Sequence, residues 1–461
     1  MNVNRVCMLL AGALIVCSLV MGCRPSGAAP EEGVLDVWAT WAEDPALLQA
    51  LLDRYTEEMG VPVLVTTGVG EAKLAKALSG SAPPDVVILS TSGAVASYHQ
   101  QGLVEPLAPW IAEAGIDLNE FFPAPLAQCQ TPDGDTLCLP WVGDVYALSW
   151  NKDLFAAAGL DPERPPRTME ELAEYAGLLT LRDEQGELTQ VGFIPDLDRS
   201  HTELYARLFG AAGEPGSGRA LDLNSRPMVD ALHWQRAFYE IGNAQDVHPF
   251  ARSLNRSLTS GHPLYAGERL GCAQCHRAAP PDKAQTPAQG LLGGRVAMMV
   301  AGPWAVQAGV GHVSNVGVAP FPPPAGHPER AGSTLVQGAV LIVPAGALDK
   351  AATVDLLAWM TSPEIAAQAA LEHAGLPAGR AAARDPRFQQ GPHWKVFMEL
   401  LAHPNAGYAA ALPIRPELSR ALGEVEEQAL HDGGDPLSLL EEVQAEFAPQ
   451  WAQALDDRDA P

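Results

Sequence analysis

The chain has 461 residues, 47% of them apolar and 18% charged, with 55 acidic against 29 basic side chains and a formal net charge of −26. Such a composition fits a packed globular protein, and the acidic balance excludes nucleic acid and electrostatic attachment to anionic lipid as partners. The length exceeds what one ordinary core fills, so two domains or lobes are predicted.

Residues 1–22 begin with a short polar start containing Arg5, continue in a charge-free apolar run from Met8 to Val20, and end at Gly22 with Cys23 next. This is the pattern of a secretory signal peptide, and its apolar core is short of the roughly 20 residues that a membrane span needs. Val20-Met21-Gly22-Cys23 resembles a bacterial lipobox, in which Cys23 receives lipid and becomes the mature N-terminus. The competing reading is an ordinary secreted protein whose signal ends near a cysteine. Residues 23–33, with "RPSGAAPEEG", then form a flexible tether. No later segment is apolar for long enough to cross a membrane, so a body held outside the cytoplasm by its lipid, in the periplasm or at the cell surface, is expected. Of the seven cysteines, Cys7 and Cys17 leave with the signal peptide and Cys23 takes lipid. Cys129 and Cys138 flank "QTPDGDTL", whose Pro-Asp-Gly is a strong turn signal, so a hairpin closed by a disulfide is expected in an oxidising compartment. Cys272 and Cys275 remain.

In chain order, "VLDVWAT" predicts a buried strand, and "PALLQALLDRYTEEMG" a helix with Leu47, Leu48, Leu51, Leu52 and Tyr55 on one face. "VPVLVTT", "EAKLAKALSG" and "DVVILST" continue as strand, helix and strand, which means a parallel sheet with right-handed crossovers. "DVYALSW" reads as a further strand. "TMEELAEYAGLL" is a helix opened by a capping box of Thr168 and Glu171, and "RPMVDALHWQRAFYEIGN" another amphipathic helix. "GRVAMMVAGPWA", "VGVAPFPPP" and "STLVQGAVLIVPAG" return to strands. From Ala351 to about Leu455 the chain is mostly helical, and no repeats are present.

The order of "DVVILSTSGAVASYHQQGLVEPL", "WNKDLFAAAGLDPERPPRTMEELAEYA", "LDLNSRPMVDALHWQRAFYE", "GRVAMMVAGPWAV", "VGVAPFPPPAGHPERAGSTLVQGAVLIVPAGA" and "AATVDLLAWMTSPEIAAQAAL" resembles the extracellular solute-binding proteins of bacterial ABC importers, in the carbohydrate-binding family whose best-known member binds maltose. The resemblance covers residues 34 to about 390 apart from one segment and rests on collinearity. It implies an α/β, two-lobed periplasmic-binding-protein fold of type II, with a hinge and a solute held between the lobes. Lobe one is expected over 34–145 with 290–337, and lobe two over 146–245 with 338–457. The resemblance further implies no chemistry, a monomer, and delivery of a sugar-like polar solute to an ABC permease. Candidate ligand residues are Trp41, Ser90, Thr91, Trp141, Asp144, Trp304 and Gln337. Trp304 stands where the family's Gly-Pro-Trp places an aromatic, and the others follow from the rule that ligands bind beyond the carboxyl ends of strands. A core or lobe-packing role competes for each tryptophan, and a surface or hinge role for Asp144 and Gln337.

The segment outside the family pattern, 246–289, carries "GHPLYAGERLGCAQCHRA", which resembles the opening of a class I cytochrome c. It is expected to be a small, mostly helical or loop-like cytochrome c-like insertion. Two thiols two residues apart, Cys272 and Cys275, reach the two vinyl groups of one haem, and the adjacent His276 meets the iron as proximal ligand. Haem c, with its iron, is therefore the expected cofactor. A plain disulfide, a zinc site that adds His276 and His262, and a thioredoxin-like redox pair are the competing readings. The segment is shorter than a free-standing cytochrome domain and brings no obvious distal methionine. Met298 and Met299 fall on a family strand, which leaves His262, His248 or an open position.

Two functions from different classes follow. One is a lipid-anchored binding protein for a polar solute, with a haem-bearing insertion. The other is an electron-transfer or haem-sensing protein, with a redox partner, built on that scaffold. No Ser/His/Asp or paired-carboxylate spacing argues for an enzyme.

Overall fold

In the strand Leu35–Ala39 (β1), Leu35, Val37 and Ala39 have no exposed surface while the residues between them are half-buried, the two-residue period of a sheet. The structure, a computed structural model, describes residues 33–41, 45–131, 133–197, 200–211, 222–241, 246–247, 249–250, 294–304, 315–409 and 411–456. The signal peptide, Cys23, nearly all of the tether, His248, and the stretch holding His262, Cys272, Cys275 and His276 lie outside them. The helix Pro45–Met59 buries Leu48, Leu51, Leu52 and Tyr55, a face at i, i+3, i+4 and i+7. It connects β1 to Val63–Thr66 (β2). Both β2 and Val86–Leu89 (β3) lie parallel to β1, as the alternation of strands and helices predicts.

The next strands are Leu139–Val145 (β4), Ala147–Asn151 (β5), Leu181–Arg182 (β6), Leu188–Phe193 (β7), Val296–Ala301 (β8), Val316–Ala319 (β9), Thr334–Ile342 (β10), Leu376–Pro377 (β11) and Ala406–Tyr408 (β12). They form two sheets. The first runs β11-β4-β10-β3-β1-β2, with β12 added beside β10, and the second β6-β7-β8-β5-β9. Each sheet has its own apolar core, one around Leu35, Leu52, Ile88 and Leu357, the other around Leu148, Phe193, Leu232 and Met298. A smaller cluster with Val145, Ala147, Val336 and Phe397 joins them.

The single strand expected at "DVYALSW" is two strands in different sheets. β4 ends at Val145, β5 begins at Ala147, and Tyr146 between them is the crossing point. Its N–H donates to Thr334 Oγ1 at 3.0 Å and its carbonyl accepts from the same hydroxyl at 2.9 Å, so β10 fixes the crossing from beside it.

The expected lobe boundaries differ from the observed ones. β8 and β9, placed by sequence in lobe one, pair with β5 and β7 in the second sheet. Conversely, the end of β10 pairs with β3, and the helices Lys350–Thr361 and Pro363–Glu372 bury Leu356, Leu357, Met360 and Ile365 in the first core. The chain re-enters the second lobe through the helix Pro392–Leu401, after which Arg415–His431 and Pro436–Asp456 pack there. Hydrophobic runs such as "VAMMVA" announce a strand buried on both faces and carry no mark of which sheet receives it. Met298 and Met299 are fully buried in β8, in the core role that their sequence context implied.

Candidate functional site

A cavity of about 550 Å³ opens between the two sheets, within the usual range of ligand pockets. Thr91, Ser92, Gly93 and Ala94 line it from the loop that leaves the carboxyl end of β3, together with Glu71 and Gln128. Val336 and Gln337 of β10 contribute at the crossing. The opposite wall is the start of the helix Arg415–His431, with Arg415, Glu417, Ser419 and Arg420. None of the described residues on its walls is aromatic.

The first-lobe wall is built by hydrogen bonds between strand ends. Ser90 N–H donates to Thr40 Oγ1 at 2.9 Å, tying β3 to the residue after β1. Ser92 Oγ donates to Gln128 Oε1 at 3.3 Å, and both residues are almost wholly buried. Gln128 precedes Cys129, which is joined to Cys138 in the expected disulfide. Leu137 N–H donates to Cys129 O at 2.8 Å, and Gln130 pairs with Thr136, so the hairpin is present as well.

At the crossing, Tyr146 Oη donates to Gln337 Oε1 at 3.1 Å, and Gln337 faces Asp144 across the β4 and β10 pair. Asp144 Oδ2 in turn accepts from Trp304 Nε1 at 2.7 Å. Gly302 makes room for this bond: a Cβ there would stand 2.5 Å from Trp304 Nε1 and 2.6 Å from Asp144 Oδ1. Gly338 next to Gln337 has φ +134°, and a Cβ would stand 2.1 Å from Val142 O. Only glycine fits so close a crossing of strands.

On the second-lobe wall Arg415 is only 8% exposed. One of its terminal nitrogens donates to both Glu203 oxygens, at 2.7 and 2.9 Å, which anchors the guanidinium against the helix Thr202–Leu208. Its other donors make no hydrogen bond among the described residues. Arg420 is exposed and forms no ion pair among them. Further along the same helix Glu426 is buried, and the Ser200 and Thr202 hydroxyls donate to its Oε2. Burial, with the Asp196 charge adding to it, pushes this carboxyl up to about 7.

The family described as bacterial extracellular solute-binding protein matches residues 50–396. The chain belongs to that family. Among curated proteins, this solute-binding protein is similar to the sn-glycerol-3-phosphate-binding periplasmic protein UgpB of Escherichia coli (strain K12), at 32% identity over 172 residues, which are 35% of this chain and 39% of that one. The UgpB of Agrobacterium fabrum is 32% identical over 96 residues, 20% of this chain and 22% of that one. The chain thus matches between about a fifth and two fifths of these relatives' length. The fold is shared with the solved structure titled CpMnBP1 with mannotriose bound, at TM-score 0.73 and 24% identity over 90% of this chain and 100% of that one. It is shared also with UgpB from Mycobacterium tuberculosis in complex with glycerophosphocholine, at TM-score 0.68 and 18% identity over 93% and 100%.

Of the residues singled out from the sequence of this solute-binding protein, Thr91 and Gln337 line the cavity. Ser90, Asp144 and Trp304 stand behind it, bracing β3 and the crossing. Trp41 and Trp141 are corrections. They are 5% and 1% exposed in the core of the first lobe, with ring centroids 6.3 Å apart, and Trp141 Nε1 donates to Met360 O at 3.1 Å. Trp41 follows the carboxyl end of β1 and Trp141 is the third residue of β4, near its amino end, and both rings pack into the helix-covered core of the first sheet. Sequence reasoning missed Ser92, Gln128, Arg415 and Arg420. For the arginines a signal existed: "IRPELSR" places them in the first turns of a helix opened by Pro416, where charged side chains flank free backbone N–H groups.

Proposed function

We propose that this protein captures a small hydroxylated anionic solute of the glycerophosphate class between its lobes and hands it to an ABC permease outside the cytoplasm. The observation that carries this reading is the pairing of Arg415 and Arg420 on one wall with the hydroxyls and amides of Thr91, Ser92, Gln128 and Gln337 on the other. A guanidinium offers forked donors matched to phosphate oxygens, and hydroxyl and amide groups fix a polyol. Trp41 and Trp141, two of the three tryptophans expected to stack on a sugar ring, are in the core, and the third, Trp304, has its N–H engaged by Asp144, which favours a glycerophosphate over an oligosaccharide. In a chain of net charge −26, a cleft whose walls balance Arg415 and Arg420 against Glu71 and Glu417 is less acidic than the molecule as a whole.

The same proposal includes export and anchoring through Cys23, and a haem c carried by Cys272 and Cys275 with His276 on the iron and His262 or His248 opposite. Such a group would accept and return one electron, which gives the protein a redox partner in addition to its solute. The Cys-x-x-Cys-His spacing in an exported chain supports this part.

The experiment uses protein exported from a host competent in cytochrome c maturation. Titration calorimetry with sn-glycerol 3-phosphate, glycerophosphocholine and mannobiose is expected to show binding of a phosphate compound, weakened at least tenfold by Arg415→Gln. Binding of mannobiose alone overturns the glycerophosphate reading. A visible spectrum and pyridine haemochrome assay are expected to show covalent haem that Cys272→Ala/Cys275→Ala loses. A colourless protein reduces the motif to a disulfide or metal loop.

A further inference from the structure

We infer that Gln128 is the side chain by which the first-lobe wall selects its solute, and that the Cys129–Cys138 disulfide holds it in place; the inference rests on the cavity being the solute site. Gln128 is 2% exposed and nevertheless lines the cavity. Its Oε1 accepts from Ser92 Oγ at 3.3 Å, which leaves the NH2 donors for another partner. That NH2 makes no hydrogen bond among the described residues. A donor that is held in place at a cavity wall and left without a protein partner is one that a ligand acceptor can pair.

The position of this amide is set by the chain on either side. Gln128 N–H donates to Ala124 O at 3.2 Å, closing the short helix Pro123–Ala127. On the other side Cys129 is bonded to Cys138, nine residues on, with Cα atoms 5.0 Å apart. Cys138 leads at once into β4, whose far end is the crossing at Tyr146. The disulfide therefore ties the backbone of Gln128 to the root of the strand that connects the lobes. Both sulfurs are fully buried among Val87, Leu89 and Val340, away from thiols in solution. This makes the bond a fixed brace and not a switch.

A solute acceptor oxygen, from a hydroxyl or a phosphate, meets the Gln128 NH2 while Arg415 meets it from the opposite wall. Gln128→Glu removes the donors and adds a negative charge of nearly the same shape. The full-length exported protein is examined in two ways. In titrations with sn-glycerol 3-phosphate and mannobiose, Gln128→Ala is expected to weaken the phosphate compound about tenfold, and Gln128→Glu to weaken it further while leaving mannobiose less affected. Wild-type affinity in both variants overturns the selective role. Without any solute, the side-chain amide resonance of Gln128, identified by its absence in Gln128→Glu, is expected to shift and to exchange faster with water in Cys129→Ser/Cys138→Ser. An unmoved resonance overturns the bracing role. If that double variant does not fold, Ser92→Ala serves instead, releasing the amide with the disulfide intact, and the same shift is expected. A wild-type protein that ignores every probe while its Gln128 amide moves on loss of the disulfide sinks the solute class alone and supports the brace.

Discussion

The two tryptophans show how far a single residue can be read. A tryptophan in or just after a strand is equally good as a platform for a ligand and as a filler of the core, because both uses bury one face of a large ring and ask for a partner for its N–H. Trp141 finds that partner in Met360 O, on the helix Lys350–Thr361, more than two hundred positions away. Nothing local in "LPWVGDV" reveals this. Thr91, by contrast, follows a fully apolar strand and is exposed at its carboxyl end, and its position was legible for that reason. Trp141→Ala is expected to lower stability by about 3–5 kcal/mol through the cavity it opens. Thr91→Val, on an exposed wall, should leave the unfolding midpoint in urea nearly where it was, within about 0.5 kcal/mol, and weaken the solute. A Trp141→Ala protein with an unchanged midpoint would return the indole to the cleft.

At the scale of elements, local chemistry was legible and cargo was not. Thr168 caps its helix as expected, its hydroxyl accepting from Glu171 N–H at 3.1 Å, because capping is settled within four residues. The helix Arg415–His431 falls in the stretch read as mostly helical, and the structure shows its buried stripe of Leu418, Val425 and Ala429. Its polar residues look like a solvated face until the fold shows Arg415 in the cleft and Glu426 buried. Around Glu426 stand Asp196, Glu427, His431 and Tyr239: His431 Nε2 lies 3.1 Å from Asp196 Oδ2, and Tyr239 Oη donates to Asp196 Oδ1. Burial raises the folded carboxyl to about 7, above its value in the unfolded chain. The folded protein thus holds this proton more tightly, so the contribution is complete below about pH 4.3 and is lost as pH rises through 7. The loss is on the order of 3 kcal/mol. Glu426→Gln keeps the shape and cannot titrate. Its melting temperature, compared with wild type between pH 5 and 8, is expected to fall less steeply with pH, and parallel curves would show that Glu426 is ionised throughout.

At the scale of the molecule, the sequence announces two lobes through the order of its elements and conceals where the chain passes between them. Tyr146 lies inside a continuous apolar run, and a crossing of one residue leaves no break in periodicity. With so short a crossing, few residues need to turn for the walls of the cavity to approach. Glu71, the first residue of the helix Glu71–Leu78, and Arg420 stand exposed on opposite walls, and neither forms an ion pair among the described residues. If solute draws the lobes together, these charges meet at the mouth, with Glu417 beside Arg420 partly opposing the contact. An exposed pair is worth at most about 1 kcal/mol, hence about fivefold in affinity, and fades with salt. Arg420→Glu is expected to weaken sn-glycerol 3-phosphate by about that factor or more at low salt, since repulsion replaces attraction. Adding Glu71→Arg to it restores the opposite signs and should recover most of the loss at the mouth. A double variant as weak as Arg420→Glu alone would mean that the two side chains never meet, and that Arg420 serves the solute alone.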